Sequence, residues 1–104
     1  MNKIDLIKNF TKGATNLKGS NLFTRTNEKL GITELVNYST TIAFYAHNTG
    51  CIFLNNTKYS RTTSKNQNYI REYSDNIVEL SHSQLMHFLK EYIEFAYKVE
   101  SEGE

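Results

Sequence analysis

The side chains able to do chemistry in this 104-residue chain gather in one stretch. Lys58, Arg61, Lys65 and Arg71 follow one another closely, and no acidic residue occurs between Glu34 and Glu72. Among these cations stand Tyr59, Thr62, Thr63, Ser64, Gln67 and Asn68. Their hydroxyl, amide and phenol groups bond phosphate oxygens and base edges, and rings such as Tyr59, Tyr69 and Tyr73 can stack on bases. A helix starting near Ser64 adds backbone N–H donors for an anion. The pattern points to a surface for an anionic partner, nucleic acid first, with Lys58, Tyr59, Arg61, Thr62, Thr63, Ser64, Lys65, Gln67, Asn68 and Arg71 as its contacts. Arg61 and Lys65 read as phosphate contacts and Tyr59 as the stacking platform. The competing reading is a polar connection whose Ser and Thr side chains cap turns while its tyrosines pack inward. Four cations supply few phosphate contacts, so the expected affinity is modest and salt-sensitive.

Catalysis needs a nucleophile with a base and an orienting group, or a metal set. His47 falls in a turn. His82 and His87 are five apart on a helix, about 140° apart around its axis, and do not share a metal as an i, i+4 pair would. Glu91 and Glu94, with Lys90 and Lys98 nearby, read as the solvated face of a helix. Cys51 is the single cysteine, with no disulfide partner inside the chain, and reads as a strand residue between Gly50 and Ile52. The five glycines, at 13, 19, 31, 50 and 103, are scattered singly and form no phosphate-cradling loop. The expectation is a protein that binds and does not catalyse, with no cofactor and no metal.

The elements that must position the basic stretch follow from periodicity and punctuation. Asn2 caps a helix over Lys3 to Lys12, where Ile4, Ile7 and Phe10 recur at helical spacing and Gly13 offers a left-handed stop. A short strand is expected near Asn21 to Arg25. Residues 34–45 turn β-branched and aromatic and read as one strand, followed by the turn His47-Asn48-Thr49-Gly50 and a second strand, Cys51 to Leu54. Within the basic stretch Thr63 or Ser64 caps a short helix in which Tyr69, Ile70 and Tyr73 share a face. Ile77 to Leu80 reads as a further strand. Over Ser81 to Val99, Leu85, Leu89, Tyr92, Ile93, Ala96 and Val99 form an apolar stripe, and Ser81 with Gln84 makes a capping box. The sum is an α+β domain: a small antiparallel sheet of three to four strands with a long C-terminal helix and two short helices packed on one face.

Length and composition bound the rest. One domain over residues 1–104 is expected, its last positions, 100–104, a frayed acidic tail. Hydrophobic residues make up 38% and charged residues 22%, enough apolar material for a packed core. No apolar run reaches the ~18–20 residues that span a bilayer, and Met1 to Gly13 lacks a signal peptide's uninterrupted core, so a cytoplasmic location is expected. The net charge of +1 conceals an asymmetry. Residues 1–71 carry ten Lys and Arg against Asp5, Glu28 and Glu34, whereas residues 72–104 carry Lys90 and Lys98 against eight acids. A split of this size predicts a polarised surface.

The run from Asn55 through Asn68, with its Lys58-Tyr59-Ser60-Arg61-Thr62-Thr63-Ser64-Lys65 block, preceded by Val36-Asn37-Tyr38-Ser39-Thr40-Thr41-Ile42-Ala43, resembles a small domain of unknown function found in bacteriophage and mobile-element proteins. The resemblance covers about residues 33–71. It implies a phage setting, and with it the cytoplasm of the host cell, and no established chemistry. Motif and charge together lead to a non-enzymatic phage accessory protein that binds nucleic acid, or a nucleic-acid-processing host complex, through its basic segment. An anti-CRISPR-like inhibitor of host defence is the concrete form. A different route uses the acids of the final part (Glu72, Asp75, Glu79, Glu91, Glu94, Glu100, Glu102 and Glu104) as a mimic of phosphates, against the plainer reading of a charged helix face and tail. The alternative from another class is a self-associating assembly module, at its simplest a homodimer, whose positive and negative faces meet between subunits.

Overall fold

The computed structural model describes residues 1–102, with side chains described through Phe95. In chain order it comprises α1 (Lys3–Thr11), β1 (Leu22–Asn27), β2 (Ile32–Asn37), β3 (Thr40–Ala46), β4 (Cys51–Asn55), α2 (Arg61–Tyr73), β5 (Ile77–Leu80) and α3 (His82–Glu102). Local chemistry accounts for the helix ends. Asn2 Oδ1 accepts the Asp5 amide at 2.9 Å, and Gly13, at φ 87°, turns the chain out of α1. Ser81 and Gln84 bond reciprocally, Ser81 N to Gln84 Oε1 at 2.9 Å and Gln84 N to Ser81 Oγ at 3.2 Å, which is the capping box that opens α3. Ala96 and Val99, expected to extend the apolar stripe of α3, and the acidic tail expected from residue 100 lie outside the described side chains.

The five strands form one sheet in the order β1-β2-β3-β4-β5. The first four pair antiparallel, and β5 pairs parallel to β4. The sheet is therefore mixed and larger than the three to four antiparallel strands expected. Two features produce the difference. The single strand expected over residues 34–45 is two, β2 and β3, joined by a hairpin turn at Tyr38-Ser39 in which Tyr38 adopts φ 57°. The segment between β4 and β5 crosses over through α2, which a parallel return requires and a tight turn cannot make.

Helices cover both faces of the sheet, and not the one face expected. On one face Leu6, Ile7 and Phe10 of α1 and Ile70 of α2 pack with Leu22, Leu35, Ile42, Ala43, Ile52 and Leu54. On the other, Leu85 of α3 packs with Leu30, Ile32 and Phe44, flanked by Phe53, Phe88, Leu89 and Tyr92. The pleat alternates cleanly through Ala43, Phe44 and Tyr45, while the register shift opposite Leu35/Val36 leaves Ile42 unpaired and turns it to the same face as Ala43. Each large aliphatic or aromatic side chain buried in this way contributes about 1.5–3 kcal/mol. No described helix is long and apolar enough to cross a membrane.

Candidate functional site

The basic segment forms the loop after β4 and the whole of α2. Ser60, and not Thr63 or Ser64, is the N-cap: its Oγ accepts the Thr63 amide at 3.3 Å. The helix begins earlier than expected because Ser60 caps it from three positions before Thr63, whose own side chain turns inward. From Ser60 onward the 3.6-residue period divides the polar residues into two stripes.

The inward stripe holds Thr63, Asn66 and Gln67, all buried. Thr63 Oγ1 donates to Asn37 Oδ1 at 2.8 Å, and Asn66 Nδ2 donates to the same oxygen at 3.3 Å. Gln67 Nε2 donates to the Asn55 carbonyl at 2.6 Å and to the Thr57 carbonyl at 3.0 Å. Thr63 and Gln67 thus leave the set of partner contacts: their polar atoms are committed to holding α2 on the sheet. Tyr59 is half-buried and likewise committed. Its hydroxyl accepts from Asn55 Nδ2 at 2.9 Å, and its ring meets His82 edge-on at 6.4 Å, so it is anchored to the fold and not a free stacking platform. Tyr69 and Tyr73 stack on each other and pack against the core, with Lys8 Nζ 5.1 Å from the Tyr73 ring centroid.

The outward stripe holds Arg61, Lys65 and Asn68, joined by Thr62 and, from the preceding loop, Lys58, all exposed; Ser64 is half-buried. Among the described residues no carboxylate pairs with Lys58, Arg61 or Lys65. Arg71 differs: its Nη2 and Nε reach Glu79 Oε1 at 2.7 and 3.2 Å, and its Nη1 donates to Asn68 Oδ1 at 2.7 Å. It is already neutralised within the chain.

The sheet separates the two halves of the charge asymmetry only in part. On one face, α1 and α2 bring exposed Lys3, Lys8 and Lys12 into the same layer as Lys58, Arg61 and Lys65. On the other, α3 presents exposed Glu91 and Glu94 beside exposed Lys90. The lysines of α1 were not singled out individually in the sequence, and the surplus of cations over residues 1–71 was the signal for them. Asp5 of α1 and Glu72 of α2 are exposed in the same layer, so cations outnumber acids there without excluding them, and such a surplus raises the local concentration of a polyanion. Among the described residues no three His, Cys, Asp or Glu side chains converge as a metal set would.

A cleft of about 220 Å³ opens beside the outward stripe, between the start of α1, residues 19–22 and the flank of α2, and Thr62 and Asn66 form part of its wall. Asn21, Asn37 and Asn66, which meet there, are too far apart in sequence for any local pattern to have joined them. Residues 6–85 match the model of a protein family of unknown function, a span from α1 to the first turn of α3 that includes the whole sheet and α2. No curated protein matches the chain, and no solved structure does.

Proposed function

The chain belongs to that family, DUF8033, and we propose that it works by binding nucleic acid on the α1/α2 face, without catalysis. The observation that carries this reading is the outward stripe: Lys58, Arg61 and Lys65 are exposed, unpaired with any described carboxylate, and fixed in direction by a helix whose opposite stripe is bonded into the protein. Thr62, Ser64 and Asn68 add neutral donors beside them, the mixture that positions a phosphate backbone. A phage accessory protein acting on nucleic acid or on the nucleic-acid channel of a host defence complex, in the manner of an anti-CRISPR protein, is the setting suggested by the resemblance of residues 33–71.

The test is fluorescence anisotropy with single- and double-stranded RNA and DNA at low salt, comparing the parent with the triple variant Lys58→Ala, Arg61→Ala, Lys65→Ala. Loss of binding is expected in the variant. In the parent, three phosphate contacts give a log–log salt slope of about −2 on single strands. Equal binding by parent and variant would exclude this surface.

A second reading has its own observation. Ile93 and Phe95 on the outer part of α3 are 39% and 66% exposed, apolar surface on the acidic side of the molecule. Self-association through α3 is checked by sedimentation of the parent and of Phe95→Ser, with a concentration-dependent dimer in the parent alone as the expected result.

A further inference from the structure

The two edges of the sheet are finished differently. At β1 the outer side is covered by the chain that precedes it: Gly19 N donates to the Leu22 carbonyl at 2.7 Å, and Thr24 N donates to the Leu17 carbonyl at 2.9 Å. At β5 no such cover exists among the described residues, and β4 is the one strand beside it. The carbonyls of Asn76 and Leu80 accept from Ile52 N and Asn56 N at 2.9 and 2.8 Å, so the backbone groups of residues 76, 78 and 80 turn toward β4. Alternation along the strand turns those of Ile77 and Glu79 outward, two N–H and two C=O groups that no described residue pairs. Proteins blunt such an edge with lysine, proline, a bulge or a covering segment. The sequence Ile77-Val78-Glu79-Leu80 has none of these, and its one charge, Glu79, is drawn onto Arg71 of α2 at 2.7 Å.

The spacing of the four outward groups describes what pairs with them. In an antiparallel pair, residues directly opposite alternate between those that exchange two backbone bonds and those that exchange none. A two-fold centred on Val78 sets Ile77 opposite the partner's Glu79 and Glu79 opposite the partner's Ile77, so all four outward groups of each strand bond at once. A centre on Ile77 or on Glu79 carries the other residue past the end of the facing strand. Val78, 42% exposed, meets its own copy at the position that exchanges no bonds, where Cα atoms approach to about 4.5 Å. Its side chain stands on the α3 side of the sheet, as does that of Phe53 opposite it in β4. We propose that β5 is a dimerisation edge whose occupant is β5 of a second copy, antiparallel and centred on Val78, which joins the two sheets into one. The two-fold of such a pair stands perpendicular to the sheet, so both α1/α2 faces lie on the same side. The pairing is independent of what those faces bind, and it differs from association through Ile93 and Phe95, which leaves the β5 groups unpaired.

The experiment combines sedimentation with crosslinking. Val78 is exposed, so Val78→Lys leaves the core of the monomer untouched and sets two ammonium groups against each other across the two-fold. The parent is expected to form a concentration-dependent dimer and Val78→Lys to stay monomeric. Glu79→Pro, which removes an outward donor and none of the bonds to β4, should also abolish the dimer. Register is read with Cys51 replaced by Ser: Val78→Cys should form an intermolecular disulfide on mild oxidation, and Glu79→Cys, whose counterpart lies diagonally across the pair beyond disulfide reach, should not. A parent that is monomeric at every concentration overturns the proposal. A dimer that Val78→Lys leaves intact and Phe95→Ser dissolves overturns it in favour of α3, and equal crosslinking by the two cysteine variants overturns it as well.

Discussion

The Thr63 hydroxyl donates to Asn37 Oδ1 at 2.8 Å, joining two buried residues 26 positions apart. Asn37 ends β2 and Thr63 sits in the first turn of α2, so the bond sets the rotation of the crossover helix about its own axis. Gln67, one turn further on, repeats the device against the backbone of residues 55 and 57. Only Ile70 contributes a fully buried apolar side chain from α2, which therefore docks largely through polar groups. The outward direction of Arg61 and Lys65 is a consequence of that docking.

Replacing Thr63 with Val keeps its shape and removes the donor. Asn37 Oδ1 then retains only the longer bond from Asn66, and a loss of about 1–2 kcal/mol is expected. Asn37→Ala strands two buried donors at once and should cost about 2–4 kcal/mol, lowering the midpoint of thermal unfolding by about 4–8 °C per kcal/mol in a domain of this size. The double variant should fall short of the sum, since both changes delete one shared bond. Calorimetric melting of the four proteins checks this, and an unaltered midpoint for Thr63→Val would mean that the helix is held by something else.

A second expectation concerns α3. Phe44 stacks on Phe53 at 4.8 Å between centroids, Phe53 on Phe88 at 4.7 Å, and Phe88 on Tyr92 at 6.1 Å. Phe88 is the ring through which the helix grips the sheet, and it is half-buried. Phe88→Ala should cost about 2–3 kcal/mol, near the lower end for loss of an aromatic from a packed site. Hydrogen exchange should show early opening of α3 amides while those of β2 and β3 stay protected. Uniform acceleration across the domain would show instead that α3 and the sheet unfold as one unit.

The two faces of the sheet were legible in part. The one-face expectation passed over a signal that was there: Ile52-Phe53-Leu54 and Ile42-Ala43-Phe44 are unbroken apolar runs, the mark of strands covered on both sides. The caps at Asn2 and Ser81 and the turn before Cys51 were legible because each depends on neighbours within a few positions. The division between β2 and β3 was not, since Tyr38-Ser39 carries neither Gly nor an Asn-Gly signal. On the α1/α2 face, the absence of acids between Glu34 and Glu72 drew attention to Lys58, Arg61 and Lys65, which are exposed. The inward turn of Thr63 and Gln67 had no local signature: a polar residue bonded to a distant buried amide has the same sequence appearance as one bonded to water.

Tyr38 yields a third expectation. It holds φ 57° at the β2–β3 turn with its side chain 56% exposed, so it carries the cost of a left-handed backbone without a burial gain to offset it. Asn tolerates that conformation far better than an aromatic residue. Tyr38→Asn should stabilise the protein by about 0.5–1 kcal/mol, seen as a higher urea midpoint at unchanged slope. A lower midpoint would indicate that the Tyr38 ring covers apolar surface worth more than the strain.

Arg71, the cation of α2 paired with a carboxylate, tests the proposed nucleic-acid surface from its edge. The Arg71–Glu79 pair is partly exposed on both partners, 35% and 44%, and a pair of that kind contributes about 0–1 kcal/mol. Glu79→Gln keeps an oxygen for Arg71 Nη2 and Nε and removes the opposing charge, so the guanidinium stays in place with its charge uncompensated. Stability should fall by no more than about 1 kcal/mol. If the outward stripe of α2 receives phosphates, Arg71, bonded to Asn68 at the end of that stripe, becomes a further contact. Binding to a single strand at low salt should then tighten several-fold, and the log–log salt slope should steepen by about 0.7, the value for one added phosphate. Arg71→Ala, which unpairs Glu79 and sets a negative charge beside the stripe, should shift affinity in the opposite sense. Anisotropy titrations of both variants across a salt series separate a contact from a general field effect. A change in affinity with an unaltered slope places Arg71 near the bound strand without touching it, and no change in either quantity places the strand away from this end of α2.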